Sequence, residues 1–220
     1  MTAAPAENPV TGPVDSLEVR WIFAGPLGRP VRDWFGRFPA RTETRQDTYL
    51  LRPLLGGLSV KLRDRGALDV KSYLGSPAMP SLPVPGRPES WRKWSFGYDP
   101  QGQADTSLEG WVAVRKQRRG TWIPLAAGQD PAPGPPPADQ PGCAVELTEI
   151  RVSGGQWWTL GFEATGPAGL RPDALQRAAA LMFARPLPTG TEFSLDNSRS
   201  YAQWLNRSPG FGSEGTTSQK

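Results

Sequence analysis

A chain of 220 residues with 37% hydrophobic content can bury one good core, and its 25 prolines and 25 glycines favour strands and turns over long helices. With no histidine and a single cysteine, Cys143, the chain excludes intrachain disulfides, Ser-His-Asp triads, Cys-His pairs and histidine-bearing zinc sites. Any metal must be held by carboxylates, which suit hard ions such as magnesium, manganese or calcium, and the formal net charge of +4 leans modestly towards an anionic partner.

In chain order, residues 1–15 are rich in Pro, Ala and Asn and are expected to be a disordered end, with neither the basic start nor the apolar block of a targeting segment. Period-2 alternation predicts strands at 17–23 (LEVRWIF), 42–51 (TETRQDTYLL), 58–63 (LSVKLR), 67–73 (ALDVKSY), 90–96 (SWRKWSF), 111–117 (WVAVRKQ), 143–150 (CAVELTEI) and 157–164 (WWTLGFEA). Helices are predicted at 29–38, where Pro30 sits at an early position and Val31, Trp34, Phe35 and Phe38 share a face, at 172–184, and at 198–206. The Pro-rich stretch 126–142 cannot donate enough backbone hydrogen bonds to lie in a sheet and is expected to be a surface loop. Residues 208–220 look like a second disordered tail, leaving one domain over 16–207. This order is α+β: about eight antiparallel strands that could close into a barrel, with flanking helices. No apolar run reaches the roughly 18 residues that a membrane span needs, so a cytoplasmic protein with no membrane partner is expected.

Alternation gives each strand two walls. The apolar wall carries Leu17, Val19, Trp21 and Phe23, then Cys143, Val145 and Leu147, then Trp158, Leu160 and Phe162. The polar wall carries Glu18, Arg20, Lys61, Arg63, Asp69, Lys71, Glu146 and Glu163, while on 90–96 the member is Arg92 or Lys93, and on 111–117 it is Arg115 or Lys116. An open sheet would turn this wall to water. A barrel of about eight strands must put something inside, and has room there for side chains or one small ligand. Cations on strands about 4.8 Å apart repel by about 3–4 kcal/mol per close pair at an effective dielectric near 20. Interleaved carboxylates or a bound polyanion would relieve that, and a phosphate-rich ligand is the expected partner.

Several stretches in order, "EVRW", "DTYLL" before "LSVKLR", "LDVK", "VELTEI", "GGQWWTLGFEATG" and "SYAQWL", resemble the CYTH superfamily, the triphosphate tunnel metalloenzymes, over about 17–206. The resemblance implies an eight-stranded antiparallel tunnel that binds a triphosphate through basic side chains, with glutamates holding magnesium or manganese. Carried over by position, it makes Glu18, Glu146 and Glu163 the metal ligands, Glu146 also the catalytic acid that orients water, and Lys61, Arg63 and Lys71 the phosphate ligands; Arg20 and Arg115, from the polar wall itself, are expected to bind phosphate beside them. A phosphorylated small molecule or inorganic polyphosphate would be the substrate, and a divalent-metal-dependent triphosphatase the implied enzyme. One departure stands out: where the family's opening motif has a second acid and then a lysine, this chain has Arg20 and Ile22. The metal site loses a carboxylate and gains a cation, while Arg20 offers the planar fork that suits phosphate.

Two other readings are carried forward. A non-catalytic scaffold or sensor of the same fold would have its tunnel partly filled by Arg20–carboxylate pairs. A single-stranded nucleic-acid binder would use "WRKWSF" as a stacking platform beside "RKQRRG" (115–120), although a solvated basic hairpin tip is the plainer reading of the latter, and nucleic acid is not the expected partner. Glu43, Arg45 and Asp47 on "ETRQDTYL" read as a surface ladder of opposite charges.

Overall fold

The computed structural model describes residues 11–52, 56–64, 66–79, 81–97, 110–134, 137 and 140–207. The strands are β1 (Thr11–Ala24), β2 (Arg41–Leu50), β3 (Leu58–Arg63), β4 (Ala67–Gly75), β5 (Glu89–Gly97), β6 (Trp111–Pro124), the two-residue β7 (Ala132–Pro133), β8 (Gly142–Val152) and β9 (Gly155–Thr165). The helices are α1 (Arg29–Phe35), α2 (Arg171–Phe183) and α3 (Tyr201–Arg207). Thus β1 begins at Thr11, inside the segment 1–15 expected to be disordered; residues 1–10 and the expected tail 208–220 lie outside the described residues. Among the described residues of the Pro-rich stretch, Ala132 and Pro133 form β7, paired with Thr121 and Trp122 of β6, and Gly142 begins β8.

Every pairing is antiparallel, in the order β2-β3-β4-β5-β1-β9-β8-β6, and ten residue pairs between β2 and β6 close the ring, from Arg41↔Gly120 to Leu50↔Trp111. This is the closed eight-stranded α+β barrel that alternation anticipated. Closure removes the sheet edges, which would otherwise offer unpaired backbone groups. Where β1 outruns β5, the segment before α3 takes over its edge: the Ile22 amide donates to Asn197 O at 2.9 Å and the Arg199 amide to Arg20 O at 3.0 Å.

Two apolar clusters lie on opposite sides of the strand wall. Outside, the apolar faces of β1, β8 and β9 pack beneath α1 and α2, with Trp21, Phe35, Leu160, Leu175 and Met182 fully buried. Ala174, Ala178 and Ala179 line the covered side of α2, small enough to let the helix lie close to the aromatic floor. Trp21 packs edge-on against Phe162, Phe183 and Phe193 and donates its indole N–H to Pro85 O at 2.8 Å. Gly86 is needed at this crossing, since a Cβ there would stand 2.5 Å from the Trp21 ring.

The second cluster lies inside the barrel. Ile22, Val112, Val114, Ile150 and Val152 point inward at one end and are met by Trp204 and Leu205 of α3. Asn206 anchors the helix by accepting the Arg52 amide at 2.8 Å. One strand face is therefore apolar beneath α3 and ionic further along: Val112, Val114, Lys116 and Arg118 alternate on the same wall of β6. No helix among the described residues is long and apolar enough to cross a membrane.

Cys143 is fully buried beneath α2, and burial pushes its thiol well above the usual range. A disulfide-exchange reagent that reports free thiols is expected to label no cysteine in the native protein and one per chain in denaturant. Rapid native labelling would contradict this packing.

Candidate functional site

The inward faces converge on a cavity that opens to solvent, lined by nine cationic side chains and four carboxylates. Glu18, Arg20, Lys61, Arg63, Lys71, Glu146 and Glu163, seven of the eight site residues read from the sequence, line it together. Arg115 does not. The register of β6 with β2 and β8 turns it outward, where its Nε donates to Gln46 Oε1 at 3.3 Å, and Lys116 takes the inward position. On β5 Lys93 faces the cavity, and Arg92 pairs outside with Asp15 at 2.7 Å.

Asp47, expected on a surface ladder, is instead the fully buried hub of the lumen, because β2 is a closing strand of the ring. Around its carboxylate stand the Lys116 Nζ at 2.7 Å, the Arg45 Nε at 3.3 Å and the Lys61 Nζ at 3.6 Å. Burial acts to raise the Asp47 carboxyl, but Lys61, Lys116 and Arg45 together hold it far below the usual carboxylate range. The cations share one anion. Burial pushes Lys116 down to about 7, opposed by Asp47 and reinforced by Arg45, and pushes Lys61 well below the usual lysine range. Lys116 also lies over the rings of Tyr201, at 4.2 Å, and Tyr49, at 4.7 Å, and donates to the Tyr49 hydroxyl at 2.6 Å. Such ring contacts stabilise a desolvated cation.

Asp69 forms the next hub, receiving Arg63 Nε at 2.8 Å and the Ser95 hydroxyl at 2.8 Å, with Lys61 3.5 Å away, so Lys61 bridges both aspartates. A third group centres on Lys71, whose Nζ lies 2.5 Å from Glu18 Oε1 and 3.6 Å from Glu163 Oε1. Glu18 and Glu163 are directly opposed on β1 and β9. Burial acts to lower Lys71, but Glu163 and Glu18 outweigh it and raise its pKa. In return Lys71 brings Glu163 down to about 2, against burial and with help from Lys93 and Arg20.

Arg20 makes no carboxylate pair among the described residues, contrary to the filled-tunnel expectation. Its guanidinium lies over the Tyr201 ring at 4.6 Å, and its Nη1 donates to Thr159 Oγ1 at 3.2 Å. Gly161, directly opposite on β9, provides the room, since a Cβ there would stand 2.6 Å from that guanidinium. Arg118 binds Glu146 and also Glu43, the latter at 3.3 Å, as a crossbar between this cavity and a second hollow lined by Arg41, Glu43, Arg118, Thr121 and Glu146.

These residues do not fit a divalent metal. Lys71 occupies the space between Glu18 and Glu163, Glu146 is held by Arg118, and no three acidic side chains converge as ligands among the described residues. A divalent ion about 4 Å from the Lys71 ammonium would meet roughly 8 kcal/mol of repulsion at an effective dielectric near 20. The metal triad Glu18, Glu146 and Glu163 is thus split by the cations that neutralise its members. Within the WRKWSF stretch Trp91 is buried with its indole N–H on Glu89 at 3.1 Å, and 115–120 is the middle of a strand rather than a hairpin tip.

Sequence reasoning missed Arg45, Asp47 and Tyr49 as lumen residues and left Lys93 and Lys116 open. The spacing of Glu43, Arg45, Asp47 and Tyr49 matches that of the other inward walls and was the available signal. No family model matches the chain, and no curated protein does. Among solved structures, HpAC1 of Hippeastrum, described by a dominant triphosphatase activity, aligns at 14% identity with a TM-score of 0.39, covering 80% of this chain and 100% of that one. The Pct1 RNA triphosphatase of S. pombe aligns at 11% identity with a TM-score of 0.37, covering 80% of this chain and 81% of that one.

Proposed function

We propose that the barrel is a binding site for a phosphate-rich anion: an inorganic oligophosphate, or the triphosphate end of a larger molecule. The observation that carries this reading is the imbalance of the cavity wall, with nine cations against four carboxylates. Even with Asp47 and Asp69 behind it, the wall keeps a cationic surplus, and neither Arg20 nor Lys93 is in salt-bridge contact with a described carboxylate. Seven of the cations come from β1, β2, β3, β4, β5 and β6, and Arg87 and Arg199 from the segments before β5 and α3, so a ligand with several phosphate groups would engage more of them than a single phosphate could. Arg20 offers a planar fork and Lys93 a point charge, while Arg63 and Lys71 also hold Asp69 and Glu18. The resemblance of the strand motifs to the triphosphate tunnel enzymes supports the same ligand class.

The proposal stops at binding. Glu146, the acid expected to orient water, has its carboxylate engaged by Arg118, and the chemistry that a divalent ion would supply has no ligand set among the described residues. A sensor or carrier of oligophosphate, working in the cytoplasm, is the reading that follows.

Tripolyphosphate at a hundredfold excess over its dissociation constant is expected to stabilise the fold by about 2.7 kcal/mol. Urea unfolding would show this as a raised midpoint, and the gain should shrink as salt screens the rim. An unchanged midpoint at saturating tripolyphosphate would mean a self-filled scaffold and end the proposal.

A further inference from the structure

We infer that the tunnel takes its oligophosphate free of divalent metal, with the Lys71 ammonium as the resident cation between Glu18 and Glu163. This rests on reading the lumen as an anion site. Glu18 and Glu163 face each other across β1 and β9, a pair that could clasp a metal ion, but Lys71 already lies 2.5 Å from one and 3.6 Å from the other. The same Glu18 oxygen also accepts the Ser16 hydroxyl at 2.6 Å. Arg20, two residues along β1, is fixed beside the pair in the space that Gly161 leaves open.

The two carboxylates and the two cations balance. A metal ion entering between the carboxylates would add two positive charges to a balanced group and would have to displace a largely buried ammonium. Phosphate oxygens approaching from the cavity meet Lys71, Lys93, Arg20 and Arg63 directly and need no bridging ion. The bound species is the bare polyanion. Magnesium or manganese, by complexing that polyanion in solution, then competes with the protein for it.

Calorimetric titration with tripolyphosphate in EDTA and again in excess manganese tests this, together with manganese electron paramagnetic resonance on the ligand-free protein. Binding in EDTA that weakens at least severalfold in manganese is expected, with the aqueous manganese signal undiminished by the protein. Lys71→Met should weaken binding in EDTA by tenfold or more and reverse the effect of manganese, since the freed carboxylates can then clasp it. Binding that requires manganese, or loss of the manganese signal to the native protein in a way that Glu18→Gln abolishes, would overturn the inference and leave the anion site standing. Absence of binding in both media would sink the anion-site reading itself, and this inference with it.

Discussion

Replacing Asp47 with asparagine is expected to destabilise the protein by about 3–5 kcal/mol, the range for removing one partner from a buried charge cluster. The Asp47 side chain is fully buried, and Arg45, Lys61 and Lys116 all lie within 3.6 Å of its carboxylate. Without that charge three cations face one another, and Lys61 keeps Asp69 as a second acidic partner. Urea unfolding near neutral pH would measure the loss. In the native protein the Asp47 contribution is fully present above the unfolded carboxyl pKa of about 4 and is lost as pH falls towards its lowered folded pKa, so the two proteins should converge in acid. Two rescues are expected to recover part of the loss: adding Lys116→Met, which removes one orphaned cation, and saturating tripolyphosphate, which returns negative charge to the lumen. A loss below 1 kcal/mol would mean that these cations are relieved by something other than Asp47.

Tripolyphosphate affinity is expected to fall by up to about tenfold for each pH unit above 7, because each proton taken up on binding contributes one such factor. Lys116 has a pKa of about 7 in the free protein, where burial disfavours its charge. A polyanion beside it favours the charged form, so its pKa is higher in the complex. Affinity from this group is therefore fully present below pH 7 and declines as pH rises towards the pKa of the complex. Stability of the free protein moves the other way: between pH 7 and the unfolded lysine pKa of about 10.4 the unfolded chain binds the extra proton, so the native state gains as pH rises. Calorimetry at two pH values, in two buffers of different ionisation enthalpy, counts the protons. The same titration in Lys116→Met subtracts the ligand's own ionisation and should show a slope smaller by about one proton. Equal slopes in the two proteins would remove Lys116 from the site.

How far alternation could be followed depended on what filled the barrel. On β1, β8 and β9 the outer wall is apolar where α1 and α2 cover it, at 17–23, 143–147 and 158–164, so Glu18, Arg20, Glu146 and Glu163 were legible as the inner wall from spacing alone. On β6 the rule failed for a physical reason. Its inner wall runs from Val112 and Val114, beneath α3, to Lys116 and Arg118 in the ionic half, so an apolar-against-polar test finds no consistent wall. On β2 the inner wall is charged throughout Glu43, Arg45 and Asp47, a pattern indistinguishable in sequence from a solvated edge.

By itself the sequence determined the eight long strands, though not the full extent of β1 and β6, an α+β sheet able to close into a barrel and a wall rich in both signs of charge, because period-2 alternation and Pro/Gly placement are local properties. Tertiary structure decided the rest. The β2–β6 closure made Asp47 an interior hub, strand register chose Lys116 over Arg115, α3 filled one end of the barrel, and Lys71 came to rest between Glu18 and Glu163. Each of these joins residues distant in the chain, and an ion pair's partner is set by which strands become neighbours, which no single strand encodes.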